Sequence, residues 1–325
     1  MGGKNTAVQS GATFKKKRRF HEWGDLIFYI CILAVPITQF CIFYLGVNVN
    51  VIVMAFSNFD GLKGYTLLEP ENLWFNFQWF FNNLPLMKRA FGNSFILFGF
   101  NVGVGMTCGL IFSFFIYKKM LGARFFKVIL FMPSIISSIV MVIIYSNFSE
   151  LVIAPAINKI FYENLHIYDK QVYSILNNPD LAFGALIFYT LWVGFGTPVL
   201  LYSGAMNNIS DAVVEAAKMD GITPIKEFFF ITLPLVYPTI VIFFTTNLAT
   251  IFTNQMELFS FYGGGSNVQP QLQTVGYYIF KEAASVRPEG MLTKLSAFGL
   301  LITLVVAPVT LFVRYLLNKL DPMRD

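Results

Sequence analysis

Charge is what this sequence has least of. Of its 325 residues only 13% are Asp, Glu, Lys or Arg, about half the roughly 25% of an ordinary soluble domain, while 56% are hydrophobic and 17% aromatic. A surface in water needs charge, whereas one bathed in hydrocarbon does not, so the deficit points to a chain solvated by lipid. Cysteine is scarce too: Cys31, Cys41 and Cys108 all lie in apolar stretches, with no CxxC pair and no Cys/His cluster at ligand spacing. Neither a disulfide nor a metal is therefore expected. His21 and His166 sit among charged or Asn residues and read as solvated or hydrogen-bonded side chains. No GxxxxGKS/T phosphate loop is present, so nucleotide must bind elsewhere and no cofactor is expected in this chain. The apolar runs hold no paired carboxylates and no Ser/His/Asp set, which argues against an intramembrane enzyme.

What is there is long uncharged runs. Six stand out: Leu26 to Phe59, Ala90 to Tyr117, Val128 to Ser149, Leu181 to Ser210, Phe228 to Met256 and Leu295 to Val313. About 20 apolar residues cross the hydrocarbon core as a helix, so the fold class expected is all-α, a polytopic membrane protein with six transmembrane helices. Asn72 to Met87 is shorter and loaded with Asn and Trp, which favours an interfacial helix or packed loop. Leu258 to Phe280 contains Gly263, Gly264, Gly265 and Pro270, and reads as a loop entering a short helix at the membrane surface.

The basic cluster Lys15 to Arg19 precedes a core far too long for a signal peptide, so the first run reads as a retained anchor. With six crossings, Lys118, Lys119, Arg124 and Lys127 fall on the same side as that cluster. Positive charge is retained in the cytoplasm, which places both termini there. It also accounts for the basic N-terminus without nucleic acid. The division expected is a basic cytoplasmic segment at 1–25, a first transmembrane helix at 26–59, an extracytoplasmic loop or interfacial segment at 60–89, a core at 90–317 and a cytoplasmic tail at 318–325.

The connection at 208–234 is unlike the others. Ser210 suits an N-cap, Asp211 puts negative charge in the first turn, and Gly221 suits a C′ position. Thr223 and Pro224 then start a second helix, with Pro234 near its far end. Two short helices joined at Gly221 and lying outside the bilayer are expected. Their spacing is Glu215-Ala216-Ala217, three residues, Gly221, nine residues, Ile231, one residue, Leu233-Pro234. This resembles the EAA motif of permease subunits of binding-protein-dependent ABC importers.

Further stretches are similar to the carbohydrate-type permeases of that family: Trp192, Gly194, Leu200 and Ser203 to Met206 before the loop, the Gly263 to Gly265 turn with Thr274 and Tyr277 to Phe280 after it, and Ser57 to Asp60 at the end of the first run. Ser266 departs from the pattern, since many members carry Pro there. The resemblance implies the type I permease fold, with 90–317 as its transmembrane core. It implies import of a sugar or oligosaccharide by alternating access, as part of a complex with a homologous second permease, two copies of a cytoplasmic ABC ATPase that bind Mg-ATP, and an extracytoplasmic substrate-binding protein.

In that setting Glu215, Ala216, Ala217, Asp220 and Gly221 are the ATPase-coupling residues. The substrate path implied is Gly194 and Thr197 in the fourth helix and Asn247, Thr250, Ile251 and Asn254 in the fifth, the last four on one face at helical spacing. Amides and hydroxyls suit a sugar because they donate and accept without fixed charge. The same groups equally serve helix-to-helix or own-backbone bonds, and in a heterodimer the partner permease can hold the site instead. Pro133, Pro198, Pro238 and Pro308 mark places for kinks. Alternatives are the same architecture importing a non-sugar solute, or a six-helix secondary transporter, which would need ionisable residues inside its spans.

Overall fold

Helices make up nearly all of the computed structural model, which describes residues 23–164, 171–263, 268–284 and 290–323. His21, His166, the Lys15 to Arg19 cluster, Gly264, Gly265 and Ser266 lie outside those residues. The chain divides into a unit ending at Val53 and one beginning at Met54. The first begins its described part with α1 (Trp23–Gln39), which passes through a π turn, Phe40–Gly46, into α2 (Val47–Ala55), whose last two residues belong to the second. The first unit's residues from Leu26 to Val53 carry no charge and are mostly apolar, as a helix solvated by hydrocarbon requires.

The helix stops at Ala55 rather than at Phe59. Ser57–Asp60 (β1) leaves it as a strand paired antiparallel with Gly64–Leu67 (β2), Ser57 opposite Leu67 and Asp60 opposite Gly64. A helix end leaves carbonyls without partners, and the fully buried Asn76 supplies one: its amide donates to the carbonyls of Ala55 (3.0 Å) and Ser57 (2.8 Å). Asn76 belongs to α3 (Phe75–Phe100), which continues through a π turn, Asn101–Met106, into α4 (Thr107–Tyr117). The Asn- and Trp-rich run 72–87 is thus neither loop nor separate surface helix. From Phe75 on it is the first part of a long helix, in which Asn76 is an internal anchor.

The third apolar run is broken. Within it, α5 (Ala123–Ile135) ends at Ile136 in extended backbone, and α6 (Ser138–Phe148) starts afresh. This helix runs on through a π turn, Ser149–Ile153, then α7 (Ala154–Ile157) and a second π segment, Asn158–Asn164. The stretch long and apolar enough to cross a membrane is Ser138–Tyr162, and it includes Glu150 and Lys159. A search for charge-free runs stops short of it for that reason. Glu150 is not idle, since its carboxylate accepts from the Ser174 hydroxyl at 2.8 Å.

The fourth crossing is a bent pair, α8 (Ala182–Gly194) and α9 (Gly196–Asn207), with 42° between them. Pro198 has no N–H to give the Gly194 carbonyl and its ring crowds that oxygen, which accounts for the break. Gly196 lets α5 approach it: a Cβ there would lie 3.0 Å from carbons of Phe131 and Ser134. After α9 come α10 (Asp211–Met219), α11 (Pro224–Glu227), a π turn at Phe228–Thr232 and α12 (Leu233–Ala249). Short helices α13 (Leu258–Tyr262) and α14 (Val275–Ala284) and the long α15 (Gly290–Lys319) complete the chain. The described residues of the run 258–280 thus form short helices and no crossing. Among the described residues five helical stretches are long and apolar enough to cross a membrane, and the bent pair, taken as one span, makes a sixth.

Two of the apolar clusters in the second unit join several helices each. Leu97, Tyr145, Tyr189, Leu258 and Tyr277 meet in one, joining α3, α6, α8, α13 and α14. Leu110, Tyr202, Met206 and Val236 meet in the other, joining α4, α9 and α12 beside the 208–234 connection.

Candidate functional site

The connection at 208–234 is built on a left-handed glycine. Gly221 has φ +70°, its N–H donates to the Lys218 carbonyl and that of Ile222 to the Ala217 carbonyl, each at 3.1 Å. This paired closure ends α10 in the way that needs a residue without Cβ strain. Ser210 occupies the N-cap position with extended backbone, but its side chain makes no capping bond. Glu215, Ala216, Asp220 and Gly221 are exposed, whereas Ala217 is buried with Val214 on the inner face. The second helix is not short: from Pro224 it proceeds through the π turn and α12 to Ala249 without a break. Pro234 lacks the N–H that would return to Phe230, and the ladder widens in the turn just before it instead of ending.

One residue of this connection is buried and charged. Glu227 is 4% exposed, and both its oxygens lie 2.7 Å from the ammonium of Lys118, the residue after α4. That ammonium also sits 5.8 and 5.7 Å from the ring centres of Phe114 and Tyr117. The pair ties the connection to the end of the second crossing.

The second site is a cavity of about 210 Å³ lined by Asn101, Gly105, Thr190, Gly194, Asn247 and Asn254 among others. It adjoins a space of about 370 Å³ lined by Tyr189, Thr190, Gly194, Asn254, Gln255 and Glu257. Asn247, Thr250, Ile251 and Asn254 also share a small recess with Ser94 and Asn101. Thr197 is exposed and is not among the residues lining these spaces. Helical spacing is not what gathers residues 247–254, because α12 ends at Ala249 and the chain then turns, with the Thr253 N–H donating to the Thr250 carbonyl at 3.0 Å. Met256 and Glu257 follow in left-handed backbone, φ +53° and +54°.

The turn is held from outside by the start of α14. Thr274 Oγ1 donates to the Asn254 carbonyl at 2.8 Å, the Val275 N–H to Ser94 Oγ at 3.1 Å, and Gly276 lies so close that a Cβ on it would be 2.6 Å from the Thr253 carbonyl carbon and oxygen. Asn247 donates its amide to the Phe243 carbonyl (2.9 Å), and Asn254 accepts from the Met256 N–H (2.9 Å). What remains for a ligand is the amide oxygen and one N–H of Asn247, and both N–H groups and a second lone pair of Asn254.

Residues 101–324 match the family of binding-protein-dependent transport system inner membrane components. The chain belongs to this family. Among similar proteins, the multiple sugar-binding transport system permease protein MsmF of Streptococcus mutans is 25% identical over 228 residues, 67% of this chain and 75% of MsmF. The arabinooligosaccharides transport system permease protein AraP of Bacillus subtilis is 24% identical over 284 residues, 85% of this chain and 84% of AraP. The fold is that of a chain in the crystal structure of a bacterial ABC transporter that imports the acidic polysaccharide alginate, with TM-score 0.70, 20% identity and coverage of 91% and 96%.

As an inner membrane component, this permease works with a binding protein, and a stand-alone secondary transporter is set aside. The residues that motif reading passed over are Glu227, Lys118, Asn101, Thr190, Glu257 and Gly276. Lys118 reads as one more positive charge near a crossing and Asn101 as one polar residue in an apolar run; only tertiary structure distinguishes them. Glu227 carries a usable signal, since it falls inside the EAA connection at a position facing α4 once the second helix is allowed to continue.

Proposed function

We propose that this permease carries a neutral sugar or oligosaccharide through the cavity between α3, α8 and α12, in an importer with a homologous second permease, two ABC ATPases and an extracytoplasmic binding protein. Both termini are then cytoplasmic, and Mg-ATP belongs to the ATPases. The observation that carries the reading is the cavity lining: Asn101, Thr190, Asn247, Asn254 and Gln255 offer amides and hydroxyls, Glu257 one carboxylate, and neither Lys nor Arg lines it. Sugar hydroxyls are met by such groups, whereas an acidic polysaccharide finds no cation in this chain's share. The sugar-specific names of the similar permeases support the same class. Uptake of labelled oligosaccharides by the complete complex in proteoliposomes tests it: neutral sugars are expected to compete and uronic-acid oligomers not. Exclusive uptake of an anionic sugar or of a non-sugar solute would defeat the proposal.

For the cavity, Asn247→Ala with Asn254→Ala is expected to lower uptake at limiting substrate about tenfold or more, since two hydrogen bonds of roughly 1 kcal/mol each are lost. Subunit content should not change. Unchanged uptake would move the sugar contacts to the partner permease.

For coupling, Glu215 and Gly221 act through different physics. Glu215→Ala removes an exposed carboxylate and keeps the helix, so ATPase should still co-purify while uptake and substrate-stimulated hydrolysis fall together. Nothing lies within 4 Å of a Cβ on Gly221, so Gly221→Val costs only backbone strain, about 1 to 3 kcal/mol, and should reduce co-purified ATPase itself. Full ATPase content and normal uptake in both variants would remove the coupling role from the turn.

A further inference from the structure

Between α4 and α5 the chain turns in a way that leaves three cations together. Lys119, Arg124 and Lys127 line one open space of about 500 Å³ with Met120, Leu121 and Gly122. No carboxylate among the described residues pairs with any of the three. Lys119 holds φ +51°, a left-handed conformation that a glycine adopts without strain and a lysine does not. Gly122 precedes α5 without a capping side chain, so the positive end of that helix faces the same space. The rim is apolar in its most exposed parts: Leu121 is 99% exposed, Phe125 67% and Met120 50%.

We propose that this turn binds the phosphate of an anionic phospholipid headgroup, with Leu121, Met120 and Phe125 in the ester region beneath it. Position favours lipid over a soluble anion. The uncharged run 90–117 ends just before this turn, so the cations are among the first charges to follow an apolar crossing, and a soluble phosphate would gain nothing from an exposed leucine at the rim. Juxtamembrane cations each strengthen attraction to an anionic leaflet, and here three converge on one concavity instead of being spread along a helix. The Lys118–Glu227 pair places the site at the same end of the bundle as the 208–234 connection. The assignment rests on reading the helices as membrane crossings, and not on the identity of the sugar.

The test is phosphatidylglycerol retained by the complete complex after detergent exchange, measured by mass spectrometry against phosphatidylcholine. Wild type is expected to retain phosphatidylglycerol selectively, and K119Q/R124Q/K127Q to lose it about tenfold or more, since each cation contributes roughly fivefold. Neutralising two cations that do not line this space, R314Q/K319Q, is the control: a headgroup held at the turn should be retained far better by this variant than by the triple one. Lys119→Gly separates binding from folding: it relieves the strained backbone, so thermal stability should hold or rise while retention falls about fivefold. Equal losses in the triple variant and the control would mean diffuse charge and overturn the site. So would full retention by the triple variant, or displacement of the lipid by inorganic phosphate at comparable concentration. Sugar uptake, measured alongside, reports on the transport reading independently.

Discussion

Lys118→Met is expected to destabilise the permease by about 3 to 5 kcal/mol. The cause is what it leaves behind. Glu227 is 5% exposed in its side chain, and without the ammonium its two oxygens face the ends of α4 and α11 with no counter-charge. Lys118 itself is 19% exposed, so some water reaches the pair and the lower end of that range applies. The measurement is thermal unfolding of the detergent-solubilised complex together with the ATPase that co-purifies. Lys118→Met with Glu227→Gln is the control, because replacing both partners of a buried pair is far less harmful than orphaning one. The double variant should recover most of the stability. If the single and double variants are equally unstable, packing by the lysine stem and not charge is what matters there.

The second large effect is expected at Gly276. Even Gly276→Ala places a carbon 2.6 Å from the Thr253 carbonyl group and 2.8 Å from the Asn254 oxygen, and those are backbone atoms that no rotamer change moves aside. Overpacking of this kind costs about 1 to 3 kcal/mol, and the turn at 250–257 must shift outward to accept it. Since Asn254 lines the cavity, uptake should fall by an order of magnitude or more, roughly what a displacement near 1 Å costs at a site. The 208–234 connection is untouched, so ATPase content should stay normal. A Gly276→Ala complex with wild-type uptake would show that the turn tolerates displacement and that the close approach of α14 has no bearing on transport.

Much of this architecture was legible in the residues, and the exceptions have physical reasons. Six crossings and the loop between the fourth and fifth follow from apolar length and from the EAA spacing, because lipid leaves the backbone few alternatives to helix. Boundaries fared worse wherever polar residues are buried. Asn76 reads as loop until it is seen holding the carbonyls of Ala55 and Ser57. Glu150 cuts an uncharged run that the helix itself ignores, with Ser174 supplying its partner. Pro234 reads as a stop, yet the chain widens to a π turn and goes on. For the candidate site, Asn247 and Asn254 were visible as amides in an apolar run and do share a cavity, but through a turn rather than a helical face. Thr197, which the resemblance assigns to the substrate path, is exposed and does not line these spaces. Asn101, Thr190 and Gly276 gave no local signal, since what makes them matter is a neighbour far away in sequence.

The absence of a break between Pro224 and Ala249 has a mechanical meaning. Those 26 residues make a rod of about 39 Å at roughly 1.5 Å per residue. One end begins three residues after Gly221, and the other ends beside Asn247. A rod of that length is a lever: a tilt of about 5° around its Pro224 end sweeps the far end through about 3 Å, the width of a hydrogen bond. Two separate short helices would lose such a tilt in the joint between them, whereas a continuous one carries it, so a small rotation beside the Gly221 turn would displace Asn247, 26 residues away, by about the length of a hydrogen bond.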